Sequence, residues 1–372
     1  MTEGVLELAP GGAAFLRRRE FRYLPTPGDA HVGDHLIRRY GLRAGDEVVG
    51  AARPGGTGRG PALDRVTTVN GRPAESLGER PVFDRLTAIH PREQLRLGRA
   101  PGPGVPDDLI GRAIDLVCPF GKGQRALIVA PAKAGKTTVL RAIAGSIAAN
   151  HPGATLFILL VDERPEEVFE IEAAEAGEVV ASTFDHPPAQ HVRLAELILE
   201  RARRRVEQGE DVVLIVDSLT RLARAYNAVA QGSGRTLTGG MDAQSLERPK
   251  RFLGSARAID PQQGGGSLTI VATVLVDTGS KMDQLIFEEF KGTGNSEVVL
   301  SRELADRRVF PAIDLLASGS RKEELLYSPE ALAAARALRQ RIARMAPLAA
   351  MKNLVDDFRR HRTDAELFRA LA

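Results

Sequence analysis

Lys136 and Thr137 close the segment Ala130-Pro-Ala-Lys-Ala-Gly-Lys-Thr137, which lies between an apolar run at 126–129 and a helical pattern at 137–150. A strand, a glycine-containing loop and a helix in that order suit phosphate, because backbone N–H groups at a helix start bind phosphate oxygens. Lys136 is expected to reach the β- and γ-phosphates of ATP, and the Thr137 hydroxyl to ligate magnesium. Ala130 stands where the strict motif has glycine, so a chance Gly-Lys-Thr stays open at this point. Two acids strengthen the reading. The run 212–216 ends in Asp217, the Walker B position, and the run 156–161 ends in Asp162-Glu163-Arg164. A carboxylate at the C-terminal edge of a buried strand beside phosphates can hold magnesium, as expected of Asp217, or take a proton from the attacking water, as expected of Glu163. The bland alternative is that Asp162 and Glu163 cap the helix that begins at Pro165.

The elements that must position these groups follow from the apolar pattern. From 125 onward, runs at 126–129, 156–161, 179–181, 212–216 and 268–275 alternate with helical stretches, which predicts a parallel α/β sheet covered on both faces. Leu332, Ala335, Leu338 and Ile342, then Leu354 and Phe358, predict closing helices. Residues 4–70 instead show short alternating segments broken by Gly and Pro, a small all-β module. The division expected is 1–72 for that module, 73–107 for a linker ending in Pro-Gly-Pro-Gly-Val-Pro, and 108–372 for the nucleotide-binding domain. No internal repeat is visible.

The chain has 372 residues, 43% hydrophobic and 27% charged, with no apolar run near the ~20 residues that span a bilayer. A membrane protein is not expected, and the start of the chain does not read as a signal peptide, so a cytoplasmic location is. The net charge of +3 leaves a polyanionic partner open, depending on whether the basic residues cluster. Arg201 to Arg205 lie on a helical pattern at 191–208, where a solvated face is the simpler expectation. The single cysteine, Cys118, has apolar neighbours and reads as a buried residue.

Beyond the phosphate loop, Asp162-Glu-Arg-Pro-Glu-Glu-Val168, Gly177-Glu-Val-Val-Ala-Ser-Thr-Phe-Asp185 and Asp217-Ser-Leu-Thr-Arg-Leu-Ala-Arg-Ala-Tyr-Asn227 form an ordered set. It continues with Leu237-Thr-Gly-Gly240, Asp277-Thr-Gly-Ser-Lys-Met-Asp283, Glu288-Glu-Phe-Lys-Gly-Thr-Gly-Asn295, Arg308-Val-Phe-Pro-Ala-Ile-Asp314 and Gly319-Ser-Arg-Lys-Glu-Glu-Leu325. In this order the motifs resemble the bacterial transcription termination factor Rho family, hexameric RNA-dependent ATPases, over nearly the whole chain, and the family's loop also has alanine at position 130. The resemblance implies a RecA-like ATPase domain behind an OB-fold, and a homohexamer with ATP between subunits. Arg321 would be the arginine finger reaching a neighbour's γ-phosphate, Arg308 a second interface arginine, and Phe310 the aromatic that stacks on adenine. The nucleotide set it implies adds Gly121, Lys122, Gly123, Gln124, Arg125, Ala126, Lys133, Ala134, Gly135, Thr138 and Arg164. Without the family, Arg321 would read as a surface ion pair with Glu323 or Glu324, Phe310 as core, and Lys281 as an ordinary exposed lysine.

The resemblance further implies RNA contacts inside the ring from Arg235, Thr236, Leu237, Thr238, Gly239, Gly240 and, on a second loop, Lys281. The N-terminal module would be the primary site for single-stranded, pyrimidine-rich RNA, with Phe15, Arg17, His31 and Arg39. Its aromatics are thinned: Ala13 takes the first aromatic position and His31 stands where a tyrosine is usual, so relaxed specificity is expected. The small helical module that precedes the OB-fold in the family is not in this sequence. The function implied is ATP-driven translocation on nascent RNA and release of transcripts from RNA polymerase, with elongation factors as further partners. A diverged RNA-stimulated ATPase and a non-motor RNA-binding ring remain as alternatives, while a homologue of the rotary ATP synthase is not expected, given the Leu-Thr-Gly-Gly loop and the N-terminal module.

Overall fold

The computed structural model describes all residues except 10, 56–59, 100–107, 231–237, 243 and 372. The first strands are β1 (Thr2–Leu8), β2 (Ala14–Arg17), β3 (Ala30–His31), β4 (Glu47–Arg53), β5 (Ala62–Val69) and β6 (Arg72–Pro73). They form one sheet in the order β3-β2-β1-β4-β5-β6, which a β3–β5 pairing at His31 and Ala62 closes into a barrel. Closure leaves Leu6, Leu16, Val48, Val66 and Val69 in a small separate core. The expectation of an all-β module needs one addition, α1 (Asp34–Tyr40), which turns Leu36 and Tyr40 inward and ends at Gly41 in the left-handed region.

The large domain is built on a second sheet. Its strands are β7 (Ala88–Ile89), β8 (Arg125–Pro131), β9 (Thr155–Glu163), β10 (Glu178–Thr183), β11 (Asp211–Asp217), β12 (Arg257–Ile259), β13 (Ser267–Val276), β14 (Ser296–Val299) and β15 (Gly319–Ser320). The main path runs β10-β9-β11-β13-β8-β14-β15, and its first six strands are parallel. Each of the five predicted runs lies inside one of these strands. The helices between and after them are α2 (Leu109–Val117), α3 (Lys136–Asn150), α4 (Pro165–Glu172), α5 (Pro188–Val206), α6 (Leu219–Val229), α7 (Glu247–Gly254), α8 (Lys281–Thr293), α9 (Arg302–Asp306), α10 (Pro329–Ile342), α11 (Pro347–Arg360) and α12 (Asp364–Leu371). Two apolar layers cover the two faces of the sheet. One gathers Ile128, Ile143, Ile158, Leu338 and Phe358, and the other Leu127, Phe157, Leu214, Leu222 and Phe290. Strand residues thus bury both of their alternating faces, which is why these strands read as continuous apolar runs.

Two expectations give way. Residues 73–99, the described part of the expected linker, do not stand off as a tether: Phe83, Leu95 and Leu97 are fully buried, and β7 pairs with β12. Scattered apolar residues without a period left this packing unreadable in sequence. The arginines at the end of α5 do not form a solvated face either. Arg201 and Arg204 are buried, and Arg201 donates to Glu47 on the barrel at 3.0 Å and to the Tyr23 hydroxyl at 2.6 Å, with Glu178 also bound. Arg43 reaches Glu207 at 2.8 Å across the same seam. The barrel is therefore clamped to α5 through desolvated ion pairs. Cys118 is fully buried, as expected, against Ser296 and Ser320.

Candidate nucleotide and nucleic-acid sites

The phosphate loop joins β8 to α3. Gly135 precedes the helix with φ of 88°, a backbone conformation open to glycine and strained for other residues, and Lys136 begins the first turn. The first N–H groups of a helix have no intrahelical acceptor, so this turn presents donors to an anion. Lys136 Nζ donates to Asp217 Oδ1 at 2.7 Å and to Glu163 Oε1 at 3.0 Å. Parallel pairing brings the two acids together: β9 and β11 are neighbours, and both carboxylates lie at the same edge. Asp162 and Glu163 do not cap α4, since Arg164 holds the cap position and no side chain bonds there.

Glu163 is 2% exposed, and burial, followed by the Asp217 carboxylate, pushes its carboxyl up to about 7. Burial works against the Lys136 ammonium, but Asp217 and Glu163 outweigh it and hold the ammonium above its ordinary range. A buried carboxyl titrating near neutrality beside a lysine is suited to accepting a proton. Two residues complete this centre that sequence reading did not assign. Thr273 on β13, the strand between β8 and β11, donates to Asp217 Oδ1 at 2.7 Å. Arg221, one turn beyond Asp217, donates to Asp162 at 3.0 Å and lies 3.4 Å from Glu163. Their signals were a hydroxyl interrupting an apolar strand and an arginine four residues beyond Asp217.

Magnesium fits this donor set, since Thr137 and Asp217 offer the hard oxygens it prefers. Among the described residues there is no group of three or more His, Cys, Asp or Glu placed to hold a metal.

Phe310 is half exposed rather than core. With Pro311, Ala134, Gly135, Thr138 and Val139 it lines a cavity of about 290 Å³ beside the phosphate loop. Lys133 and Arg164 are exposed at the same edge, and Arg308, exposed with φ of 57°, lies two residues before Phe310. Gly121, Lys122, Gly123, Gln124, Arg125 and Ala126 are not brought there. They sit at the opposite end of β8, and seven residues at ~3.3 Å each separate the two ends by roughly 20 Å. Lys122 is engaged by Glu93 and by Asp211 at 2.8 Å. Asn295 organises this end: its Oδ1 accepts from Arg125 N at 2.9 Å, and its carbonyl accepts from Gln124 Nε2 at 3.1 Å and Arg321 N at 2.8 Å. Arg321 is exposed, and the ion pair considered for it does not form, because Glu323 pairs with Arg339 and Glu324 with Lys322.

Arg235, Thr236 and Leu237 lie outside the described residues. Gly239 and Gly240 follow, both with φ near 80°, and a Cβ at Gly239 would meet Met282 N at 2.7 Å, so the first loop lies against the start of α8 beside Lys281. Thr238 opens that short turn, and Lys281 is exposed. α6 holds both loops. Asn227 donates to Gly240 O at 3.3 Å, and Arg224 grips the buried Asp283 at 2.8 and 2.6 Å.

On the barrel, Phe15 pairs across the sheet with exposed His31, their rings edge to face at 5.6 Å. Arg39 is exposed and pairs with Glu75 at 3.1 Å. Arg17, expected as an RNA contact, is buried, donates to Asp29 at 2.8 Å and is bound to Glu7, so it supports Phe15, 4.9 Å from its ring centre, rather than standing free on the surface.

A barrel with an aromatic face joined to a parallel-sheet domain with a phosphate loop, two strand-end acids and an adjoining cavity defines a nucleotide-binding ATPase with an RNA-binding-type module. Residues 111–320 match the ATP synthase alpha/beta family, nucleotide-binding domain, and residues 2–75 match the Rho termination factor, RNA-binding domain. The first match corrects the expectation about rotary ATP synthase: the nucleotide-binding domain is of that kind, and the N-terminal module is what sets this chain apart. The transcription termination factor Rho of Buchnera aphidicola subsp. Acyrthosiphon pisum (strain APS) is 51% identical over 98% of this chain and 86% of its own length. That of Escherichia coli (strain K12) is 50% identical over the same shares. The chain belongs to the transcription termination factor Rho family. A prototypical ATPase from the type III secretion system of pathogenic bacteria shares the fold, with a TM-score of 0.62 and 26% identity over 81% of this chain and 95% of that one. Among the described residues, no helix is long and apolar enough to cross a membrane.

Proposed function

We propose that this chain is an RNA-activated ATPase that assembles as a homohexamer in the cytoplasm, moves along nascent single-stranded RNA and releases it from RNA polymerase, with elongation factors as further partners. The observation that carries the reading is α6. Starting one residue past Ser218, it presents Arg221 to the acids of the ATP site, Arg224 to Asp283 beside Lys281, and Asn227 to the Gly240 loop. Residues three apart are neighbours along a helix, so one rigid element touches the hydrolysis centre and both RNA loops.

In this mechanism the first turn of α3 and Lys136 hold the β- and γ-phosphates. Glu163, freed from Lys136 as that ammonium turns to phosphate, accepts a proton from the water that attacks the γ-phosphorus, and ADP leaves. A magnesium ion held by Thr137 and Asp217 would neutralise charge on the phosphate oxygens. Arg321, roughly a strand length from its own Lys136, serves the site of a neighbouring subunit, and the Gly121 to Ala126 end of β8 faces that neighbour with it. Loss of the γ-phosphate releases Arg221, and α6 passes the change to Lys281 and Gly240. Residues 1–72 bind RNA first, 73–107 connect, and 108–372 hydrolyse ATP.

Steady-state ATP hydrolysis tests the reading, with no nucleic acid, poly(C), poly(U) or single-stranded DNA at fixed salt and Arg321→Ala as control. Strong RNA stimulation that Arg321→Ala abolishes is expected, and absence of stimulation by any strand would overturn it in favour of a non-motor ring. Thinning at Ala13 and His31 favours a variant reading in which all RNAs stimulate equally. RNA affinity should also fall steeply with salt.

A further inference from the structure

The RNA-facing row of the barrel does not end at the barrel. In the β1–β2 register Glu7 stands directly opposite Phe15, and in the β2–β3 register Phe15 stands opposite His31, so Glu7, Phe15 and His31 form one cross-strand row. Cross-strand partners have Cβ atoms about 4.5–5.5 Å apart and share a face. Glu7 is nonetheless buried, because an arginine of the other domain covers it: Arg193 on α5 donates from Nη1 to both carboxylate oxygens at 2.9 and 2.8 Å. Arg17, the cation lying against Phe15, binds the same carboxylate. One acid is thus divided between an arginine that touches the base-stacking ring and an arginine that belongs to the ATPase domain.

From Arg193 the contacts continue to the hydrolysis centre. Two residues earlier on α5, buried His191 is hydrogen-bonded through Nδ1 to Ser182 Oγ at 2.7 Å. Ser182 is on β10, where the next residue, Thr183, is in register with Glu163, and Phe184 N donates to Glu163 O at 3.2 Å. Apart from the two-residue step along the rigid α5 from Arg193 to His191, each step is a direct contact or an adjacent position, from Phe15 to the strand end that carries the expected base.

We propose that the Glu7–Arg193 pair couples RNA occupancy of the Phe15–His31 face to ATP turnover, with Arg193 acting as a positioning residue; this rests on the RNA-activated reading above. A base stacked on Phe15 meets the Arg17 guanidinium at the same ring. Any shift of Arg17 changes the share of the Glu7 carboxylate left to Arg193, and with it the seating of the first turns of α5 against β10. The other ion pairs of the seam, Arg43–Glu207, Arg201–Glu47, Arg205–Glu47, Arg19–Glu178 and Arg22–Glu172, involve different barrel residues and hold the domains together without contacting this row.

The test uses the full chain as assembled, with poly(C) as the probe, and compares wild type, Arg193→Gln, Glu7→Gln, the double variant and Arg193→Lys. Turnover without RNA should stay within about twofold of wild type in all of them. Maximal poly(C)-stimulated turnover should fall on the order of fivefold in each single variant, more than the half-saturating poly(C) concentration moves. The double variant should fall no further, since both changes remove one link, and Arg193→Lys should recover much of the loss. Single variants stimulated like wild type, or single losses that multiply in the double, would overturn the coupling. Turnover lost without RNA, together with a lowered unfolding temperature, would reduce the pair to a structural clamp and also overturn it. A wild type that no RNA stimulates would instead sink the functional reading itself.

Discussion

Lys136 donates to Glu163 at 3.0 Å, so the lysine proposed to grip phosphate also holds the carboxylate proposed to accept the proton. The same ammonium donates to Asp217 at 2.7 Å. Phosphate must compete with two carboxylates for Lys136, and success in that competition leaves Glu163 free to act.

Glu163→Gln removes the proposed proton acceptor while keeping the size of the side chain. Turnover should fall about 10²- to 10⁴-fold, with ATP affinity little changed. Single-turnover hydrolysis alongside equilibrium nucleotide binding checks this, and unchanged turnover would remove Glu163 from its role.

The acid limb of the pH profile follows from the same residue. Glu163 must be ionised to accept a proton, and burial with the Asp217 carboxylate raises it from 4.5 to about 7. The rate constant kcat/KM for ATP should therefore fall as pH drops below about 7, approaching tenfold per pH unit, and the residual activity of Glu163→Gln should lack this limb. The stability sign is the reverse of a salt-bridged acid: a raised carboxyl favours the fold when protonated, a contribution present below about pH 4.5 and lost as pH rises to about 7. Turnover flat from pH 5.5 to 8 would contradict the assignment.

Arg321→Ala should cut turnover about 10³- to 10⁵-fold and spare nucleotide binding. Arg321 lies at the far end of β8 from Lys136, so the proposed finger would act on another subunit. Mixing Lys136→Ala with Arg321→Ala subunits should therefore restore hydrolysis that neither has alone. Rings with no recovery at any ratio would argue against an arginine acting between subunits.

Restoring aromatics should sharpen the primary site. His31 is exposed and faces Phe15, so His31→Tyr extends the stacking row, and Ala13→Phe adds a ring at the head of β2. Each stack is worth ~1–3 kcal/mol, so oligo(C) affinity should rise several-fold or more per substitution. Fluorescence anisotropy measures it; no gain from either variant would place the RNA path elsewhere on the barrel.

Arg201→Met breaks the seam between barrel and α5. It leaves Glu47 and Glu178 without their shared partner, and breaking a buried ion pair costs about 3–5 kcal/mol. Urea unfolding should show a loss of unfolding free energy of that order, read from the midpoint shift and the slope together, much larger than for exposed Arg251→Met.

The sequence by itself determined the phosphate loop, the two strand-end acids, the succession of apolar runs and the family motifs, because each is written within a dozen consecutive residues. Strand and helix periods then place those residues at known ends of their elements. What it left open depends on residues far apart. Arg201 read as solvated and Arg17 as an RNA contact, since nothing near them announces Glu47, 154 positions away, or the closing of the barrel over Glu7 and Asp29. Thr273 and Arg221 acquire roles only when parallel pairing seats β13 beside β11 and α6 folds back on β9. Only the tertiary structure decided that Arg321 and Lys136 lie at opposite ends of β8, and that a barrel carboxylate is held by an arginine of the ATPase domain. Charge pairing is satisfied by whichever partner the packed chain brings within reach, and for these groups that partner is set by how sheets and helices close in space.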